Sequence, residues 1–241
     1  MARIFDPLEI GDYGHIYNRG NRKMIVFPDV SDKWHYLKIL RYFNDENSSA
    51  DLFRRIERQP GFDPSHPFEF QWPKDWSPQS PLVKILSYYI ADKHIHLFLK
   101  EIRKGGISEF MKKSTNGLAG YINLKYNEVG RLFQGSYKRK RVGSETYLEY
   151  LDVYIQVFNA MERYKGGIRK AIKEFGRAFK YALEDPFSSL GESFGKRNLG
   201  IIDRDILAQE FPTLSDYEKF AREAILLRGA REILKENKLI M

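Results

Sequence analysis

Ile90-Ala-Asp-Lys-His-Ile-His-Leu-Phe-Leu-Lys100 is the stretch on which the reading of this chain turns. His94 and His96 stand two residues apart, so on a strand both imidazoles point to one face. Ile95, Leu97 and Leu99 then point to the other and read as core. The preceding run, Val83-Lys-Ile-Leu-Ser-Tyr-Tyr-Ile90, is β-branched and aromatic. Ala91, Asp92 and Lys93 between the two runs are short or polar. The pair predicts a β-hairpin with two histidines at the start of its second strand. Same-face imidazoles can both turn a ring nitrogen to one divalent cation. Two half-buried histidines on a sheet face would give the same tripeptide, so the rest of the chain has to weigh in.

The chain has 241 residues, suited to one domain plus an extension or to two small domains. It contains no cysteine, which excludes disulfides and thiolate metal sites. No charged-then-apolar leader and no long apolar run occurs, so neither secretion nor a membrane span is indicated and the expected compartment is the cytoplasm. The net charge of +8 favours a polyanionic partner, nucleic acid or an anionic surface.

The charge is concentrated in two places. Tyr13 to Phe27 reads as a first strand running into a polar, basic turn. There Arg19, Arg22 and Lys23 can hold phosphates, and Asn18 and Asn21 offer donors and acceptors to base edges. The second place is Gly130-Arg-Leu-Phe-Gln-Gly-Ser-Tyr-Lys-Arg-Lys-Arg-Val142, which has no acid. Arg131, Lys138, Arg139, Lys140 and Arg141 beside Phe133 and Tyr137 suit a strand that tracks a nucleic-acid backbone with stacking rings. On that strand Tyr137, Arg139 and Arg141 share one face.

Asp32 to Phe43 reads as a helix capped by Ser31 or Asp32, with His35 exposed. Six of the ten prolines fall between Pro60 and Pro81, so residues 44–81 read as a long insertion, with Trp72 and Trp76 either covering part of the core or stacking on bases. Ser108 to Tyr126 reads as a second helix capped by Ser108, with Ile107, Met111, Leu118, Ile122 and Tyr126 as its buried stripe. Gly117 and Gly120 inside it suggest a break or a close approach by another element. Ser144 caps a third helix, Glu145 to about Tyr164, on which Tyr154 faces the body of the domain. Residues 166–241 read as a helical extension, with helices over Ile201 to Phe211 and Thr213 to Leu239, the last capped by Thr213 or Ser215.

The string Leu86 to Leu99 resembles the metal-binding segment of the single-tyrosine HUH transposases, and within them the REP-associated tyrosine transposases. That family usually has Met-Pro-Asn before the first histidine, where this chain has Ala-Asp-Lys. Asn18-Arg-Gly-Asn-Arg22, Leu132-Phe-Gln-Gly135 and Tyr154-Ile-Gln-Val-Phe-Asn159 resemble further family elements, so the likeness spans roughly residues 13–165. It implies an α+β fold: a ferredoxin-like antiparallel sheet with helices on one face, followed by the helical extension. It also implies an enzyme that cleaves and transfers single-stranded, hairpin-bearing DNA. His94 and His96 would bind Mg²⁺ or Mn²⁺, and Tyr154 would attack the phosphodiester to leave a 5′-phosphotyrosine.

The family often carries Gln or Asn four residues after the tyrosine, where this chain has Phe158. A π-bulge could bring Asn159 onto that face; otherwise the third ligand comes from elsewhere or is absent. Tyr150, one turn earlier, is the alternative nucleophile. A non-catalytic nucleic-acid-binding module, or a replication initiator or relaxase of the HUH class, are the competing readings. Oligomeric state, a homodimer included, stays open.

Overall fold

The computed structural model describes residues 8–48, 54, 71–74 and 76–228. Most of the proline-rich insertion expected over 44–81, and the last part of the C-terminal helix expected to Leu239, lie outside the described residues.

Strand β1 (Tyr13–Arg19) leads into helix α1 (Val30–Tyr42), the hairpin β2 (Val83–Ile90) and β3 (His94–Glu101), helix α2 (Gly106–Tyr126) and strand β4 (Lys138–Val142). The sheet order is β2-β3-β1-β4, with all neighbours antiparallel. This is the ferredoxin-like arrangement expected from the sequence. The hairpin forms where Ala91-Asp-Lys93 interrupts the β-branched runs, and a bulge between Ile85 and Ser87 bends its first strand.

α1 and α2 cover one face of the sheet. Ile16, Ile85, Ile95, Leu97 and Leu99 are buried there with Tyr36, Leu40, Ile107, Met111 and Leu118. Gly117 marks a close approach, as expected: a Cβ there would lie 2.5 Å from the Phe43 ring. Trp72 and Trp76 pack against this core, their rings 5.9 and 6.0 Å from Tyr42.

The opposite face carries the third helix and the extension. Helix α3 (Glu145–Val153) starts at Ser144, whose side chain accepts from the Tyr147 amide, and continues through a π turn, Tyr154–Phe158, to Met161. The extension follows as α4 (Gly167–Lys173), α5 (Phe175–Glu184), α6 (Leu190–Ser193), α7 (Leu207–Glu210) and α8 (Leu214–Glu223). Phe175, Phe179, Leu190, Leu207 and Tyr217 share a core with Leu86, Phe98, Leu151 and Ile155. Residues 187–189 also run along the free edge of β2: the Ile90 amide donates to the Phe187 carbonyl at 2.9 Å, and the Ser189 amide to the Tyr88 carbonyl at 3.0 Å. An exposed strand edge is thereby closed. Asp205 pins the extension to the sheet through Lys84 at 2.8 Å, Lys100 at 2.9 Å and the Tyr13 hydroxyl at 2.7 Å.

Several local expectations need correction. α1 is capped by Asp29, which forms a reciprocal capping box with Asp32 at the third helical position, not by Ser31 or Asp32. α2 begins at Gly106 after the left-handed Gly105, two residues before Ser108. His35 is buried, its ring stacked on Tyr121 at 3.5 Å. The helix expected over Ile201 to Phe211 is helical only from Leu207. At α8 the expectation holds: Thr213, one of the two caps named, precedes the helix and its hydroxyl accepts from the Asp216 amide.

Candidate active site

Antiparallel pairing sets the site. Tyr17 lies opposite His96 and Arg19 opposite His94, so His15, Tyr17, Arg19, His94 and His96 share one sheet face. On β4 the residues opposite Tyr17 and His15 are Lys138 and Lys140, which bring two ammonium groups to within 5.8 and 6.0 Å of the Tyr17 ring. The His94 and His96 rings stand 5.0 Å apart. Tyr154 meets His96 edge-on at 5.6 Å and His15 at 6.4 Å between ring centroids. Tyr154 is 9% exposed and faces the sheet, as its helical position predicts.

His15 was not singled out in the sequence. Its Nε2 lies 2.9 Å from His96 Nδ1, and both residues are buried. One of the two nitrogens donates and the other accepts, which leaves His96 Nε2 as its free ring nitrogen. A signal existed in the alternation His15, Tyr17, Arg19, but nothing local reveals which strand lies beside it.

Burial pushes the His94 imidazole down to about 4; Arg19 and Arg163 add to the shift and Asp92 opposes it. His96 is held well below the ordinary imidazole value by burial, with His15, His94 and Arg19 adding to the shift. Both rings are therefore neutral near pH 7, the form that ligates a cation.

The π turn answers the question raised by Phe158. The Asn159 amide donates to the Tyr154 carbonyl five residues back, and Asn159 Nδ2 reaches the same oxygen at 2.7 Å. Asn159 thus sits one turn beyond Tyr154, while Phe158 stacks on the tyrosine ring at 5.8 Å. Gln156 is turned into a buried network with Asp152 and the extension. Tyr150 packs against Phe220 of α8, with rings 5.4 Å apart.

A cleft of about 550 Å³ opens beside these groups, lined by Arg19, Lys23, His94, Asn159, Glu162 and Arg163 among others. Asp92 on its rim is held below its ordinary pKa by Arg163 and Lys33, against the effect of burial. Among the described residues no group of three or more His, Cys, Asp or Glu side chains could hold a metal. The groups there that could contribute to holding a divalent ion are the neutral imidazoles of His94 and His96 and the amide oxygen of Asn159, whose amide nitrogen is bonded to the Tyr154 carbonyl.

The predicted nucleic-acid residues divide between the two faces. Arg19, Lys23, Lys138 and Lys140 stand on the histidine side. Asn21 and Arg22 belong to a short 3₁₀ turn, in which Arg22 and Lys23 take left-handed backbone angles. Asn18 points to the other face, its Nδ2 3.3 Å from the Gly135 carbonyl and its Oδ1 accepting the Arg19 amide at 2.9 Å. Arg131 and Tyr137 line a separate cleft of about 530 Å³ against α2. Arg139 and Arg141 share a face, as expected, but it is the face opposite the histidines, and Arg141 is bonded to Asp12 at 2.7 Å.

The fold and this side-chain set define an α+β protein whose antiparallel sheet presents paired histidines to a buried tyrosine beside a cationic cleft. Residues 79–157, from the β2 approach to the π turn, match the family model described as "Transposase IS200 like". That segment is similar to the IS200-like transposases, the resemblance expected from the sequence. A solved structure titled "Structure of the REP associates tyrosine transposase bound to a REP hairpin" aligns with 12% identity and a TM-score of 0.39, covering 80% of this chain and 84% of that chain. No curated protein matches. Among the described residues no helix is long and apolar enough to cross a membrane.

Proposed function

We propose that the protein is a transposase-type enzyme that cleaves and rejoins single-stranded DNA through a covalent bond to Tyr154. The observation that carries this reading is the meeting of Tyr154 with His96, which stands beside His94 on the same face, next to a cleft edged by Arg19, Lys23 and Arg163. His94 and His96, with the Asn159 oxygen, would hold Mg²⁺ or Mn²⁺, which when bound polarises and neutralises a phosphate oxygen. Arg19, Lys23 and Arg163 attract and orient the DNA backbone. The Tyr154 hydroxyl oxygen attacks phosphorus, and a tyrosine–phosphate ester forms as the bond to the 3′ oxygen breaks. The phenol proton ends on the departing 3′-hydroxyl, directly or through water. A phenol titrates near pH ~10, so the attack depends on charge neutralisation at the phosphate. Because the tyrosine ester conserves the energy of the broken phosphodiester bond, a second 3′-hydroxyl can attack it, release the Tyr154 phenol and join strands without a nucleotide cofactor.

The test is incubation with a panel of single-stranded hairpin DNAs and Mg²⁺ or Mn²⁺, followed by denaturing electrophoresis. A covalent protein–DNA band that chelator abolishes is expected. Binding without any covalent product, on every hairpin, would favour a non-catalytic binding module instead.

A further inference from the structure

A π turn is an uncommon way to continue a helix, because its i→i+5 bonds displace carbonyls from the regular ladder. It persists where neighbouring groups bond what it leaves over. In this chain those groups come from the extension. The Ser188 hydroxyl donates to the Gln156 carbonyl, at the centre of the turn, at 2.8 Å. The Gln156 side chain is bonded at both ends. Its Nε2 donates to Asp152 Oδ2 at 2.6 Å, and its Oε1 accepts from the Ser189 and Ser193 hydroxyls, both at 2.9 Å. Tyr217 of α8 completes the network by donating to Asp152 Oδ2 at 2.7 Å. All six residues are buried.

The same short segment grips the sheet. Ser189 Oγ also accepts the Tyr88 amide at 2.9 Å, next to the backbone bonds that residues 187–189 make to β2. One piece of the extension therefore links the strand beside the histidines to the turn that carries the tyrosine.

We infer that Gln156 and Ser188 are positioning residues: the C-terminal extension clamps the π turn and so keeps Asn159 in register with Tyr154 above the histidines. The inference rests on the function proposed above. Without the clamp the segment is free to take the regular helical register, which puts Phe158 where Asn159 now stands, one turn past Tyr154. An amide is then replaced by a ring at the edge of the reactive cleft.

The test uses the full chain with Gln156→Met, which keeps the volume and removes the side-chain bonds, and with Ser188→Ala, which removes the bond to the Gln156 carbonyl and the longer one accepted from the Leu190 amide. Three quantities are read: hairpin-DNA affinity, the rate of covalent adduct formation, and backbone amide exchange. DNA affinity is expected to stay within about twofold while adduct formation slows by about tenfold or more. Amides of residues 158–160 should exchange about tenfold faster, with those of β3 unchanged. A role exerted through Asn159 also predicts that Asn159→Ala adds little in the Gln156→Met background.

Additive losses, or losses in step with a general fall in stability, would reduce Gln156 to a packing residue and overturn the inference. Parent-like exchange at 158–160 in both variants overturns it whatever the chemistry. Should the parent form no adduct while exchange at 158–160 rises in the variants, the proposed reaction fails and the clamp stands. If Gln156→Met does not fold, the milder Ser188→Ala decides.

Discussion

The two faces of the sheet are equally dry and are built by opposite rules. Toward α1 and α2, Ile16, Ile85, Ile95, Leu97 and Leu99 are essentially inaccessible and ask only to be covered by apolar groups. Toward α3 the same strands bury His15, Ser87 and His96 just as completely. Polar groups in such a place cost free energy unless bonded. His15 and His96 bond each other. Ser87 Oγ and, on α3, Asp152 Oδ1 are buried there as well. The apolar face is completed by elements lying between the strands. The polar face needs a separate helical extension to roof it and to satisfy its network, so stability and the proposed chemistry are divided between the two sides of one sheet.

The division can be broken from either side. The largest effect is expected at the proposed nucleophile. Tyr154→Phe should keep the fold and bind DNA, yet form no covalent adduct in electrophoresis. Tyr150→Phe, whose ring lies against Phe220, should form it at close to the parent's rate. Adduct retained in the first and lost in the second would reverse the assignment.

On the apolar face, Leu97→Ala should cost about 2–5 kcal/mol in urea unfolding, the transfer term plus a cavity. A fall much below that range would mean this face is not the stabilising one.

The polar face should reveal itself in acid. His94 is held at about 4 when folded, below the ordinary imidazole value. The unfolded chain therefore binds the proton first. The stability contributed by a neutral His94 is complete above pH ~6.5 and is lost as the pH falls towards 4, by about 3 kcal/mol for the metal-free protein. Urea titrations across that range should show the fall in the parent and a smaller one in His94→Gln.

His15→Ala should weaken Mn²⁺ binding by about 10–100-fold in calorimetry, because nothing then fixes the ring of His96. His15→Gln, which can still bond Nδ1, should recover part of it. Equal affinity in all three proteins would leave His15 as packing alone.

The smallest effect concerns charge on β4. Lys140→Ala, on the histidine side, should lower the salt slope of DNA binding by about one unit, whereas Arg141→Ala, on the far side and paired with Asp12, should leave it nearly unchanged. The opposite outcome would put the DNA track on the α2 side, along Arg131 and Tyr137.

Features governed by short-range geometry were open to reading from the chain. Alternation on a strand places His94 and His96 together and Leu97 opposite them, and helical periodicity turns Tyr154 inward. Three features were not open in that way. His15 meets His96 across 81 residues, because strand adjacency and register are set by packing of the whole sheet. Arg139 and Arg141 form a basic row in sequence, but only the pairing of β4 with β1 decides that Lys138 and Lys140 face the site. The sequence also leaves undecided whether Phe158 or Asn159 follows Tyr154 around the helix. The difference between an α and a π turn is a few hydrogen bonds, and here Ser188, Ser189 and Ser193, 32 to 37 residues further along, supply them to Gln156.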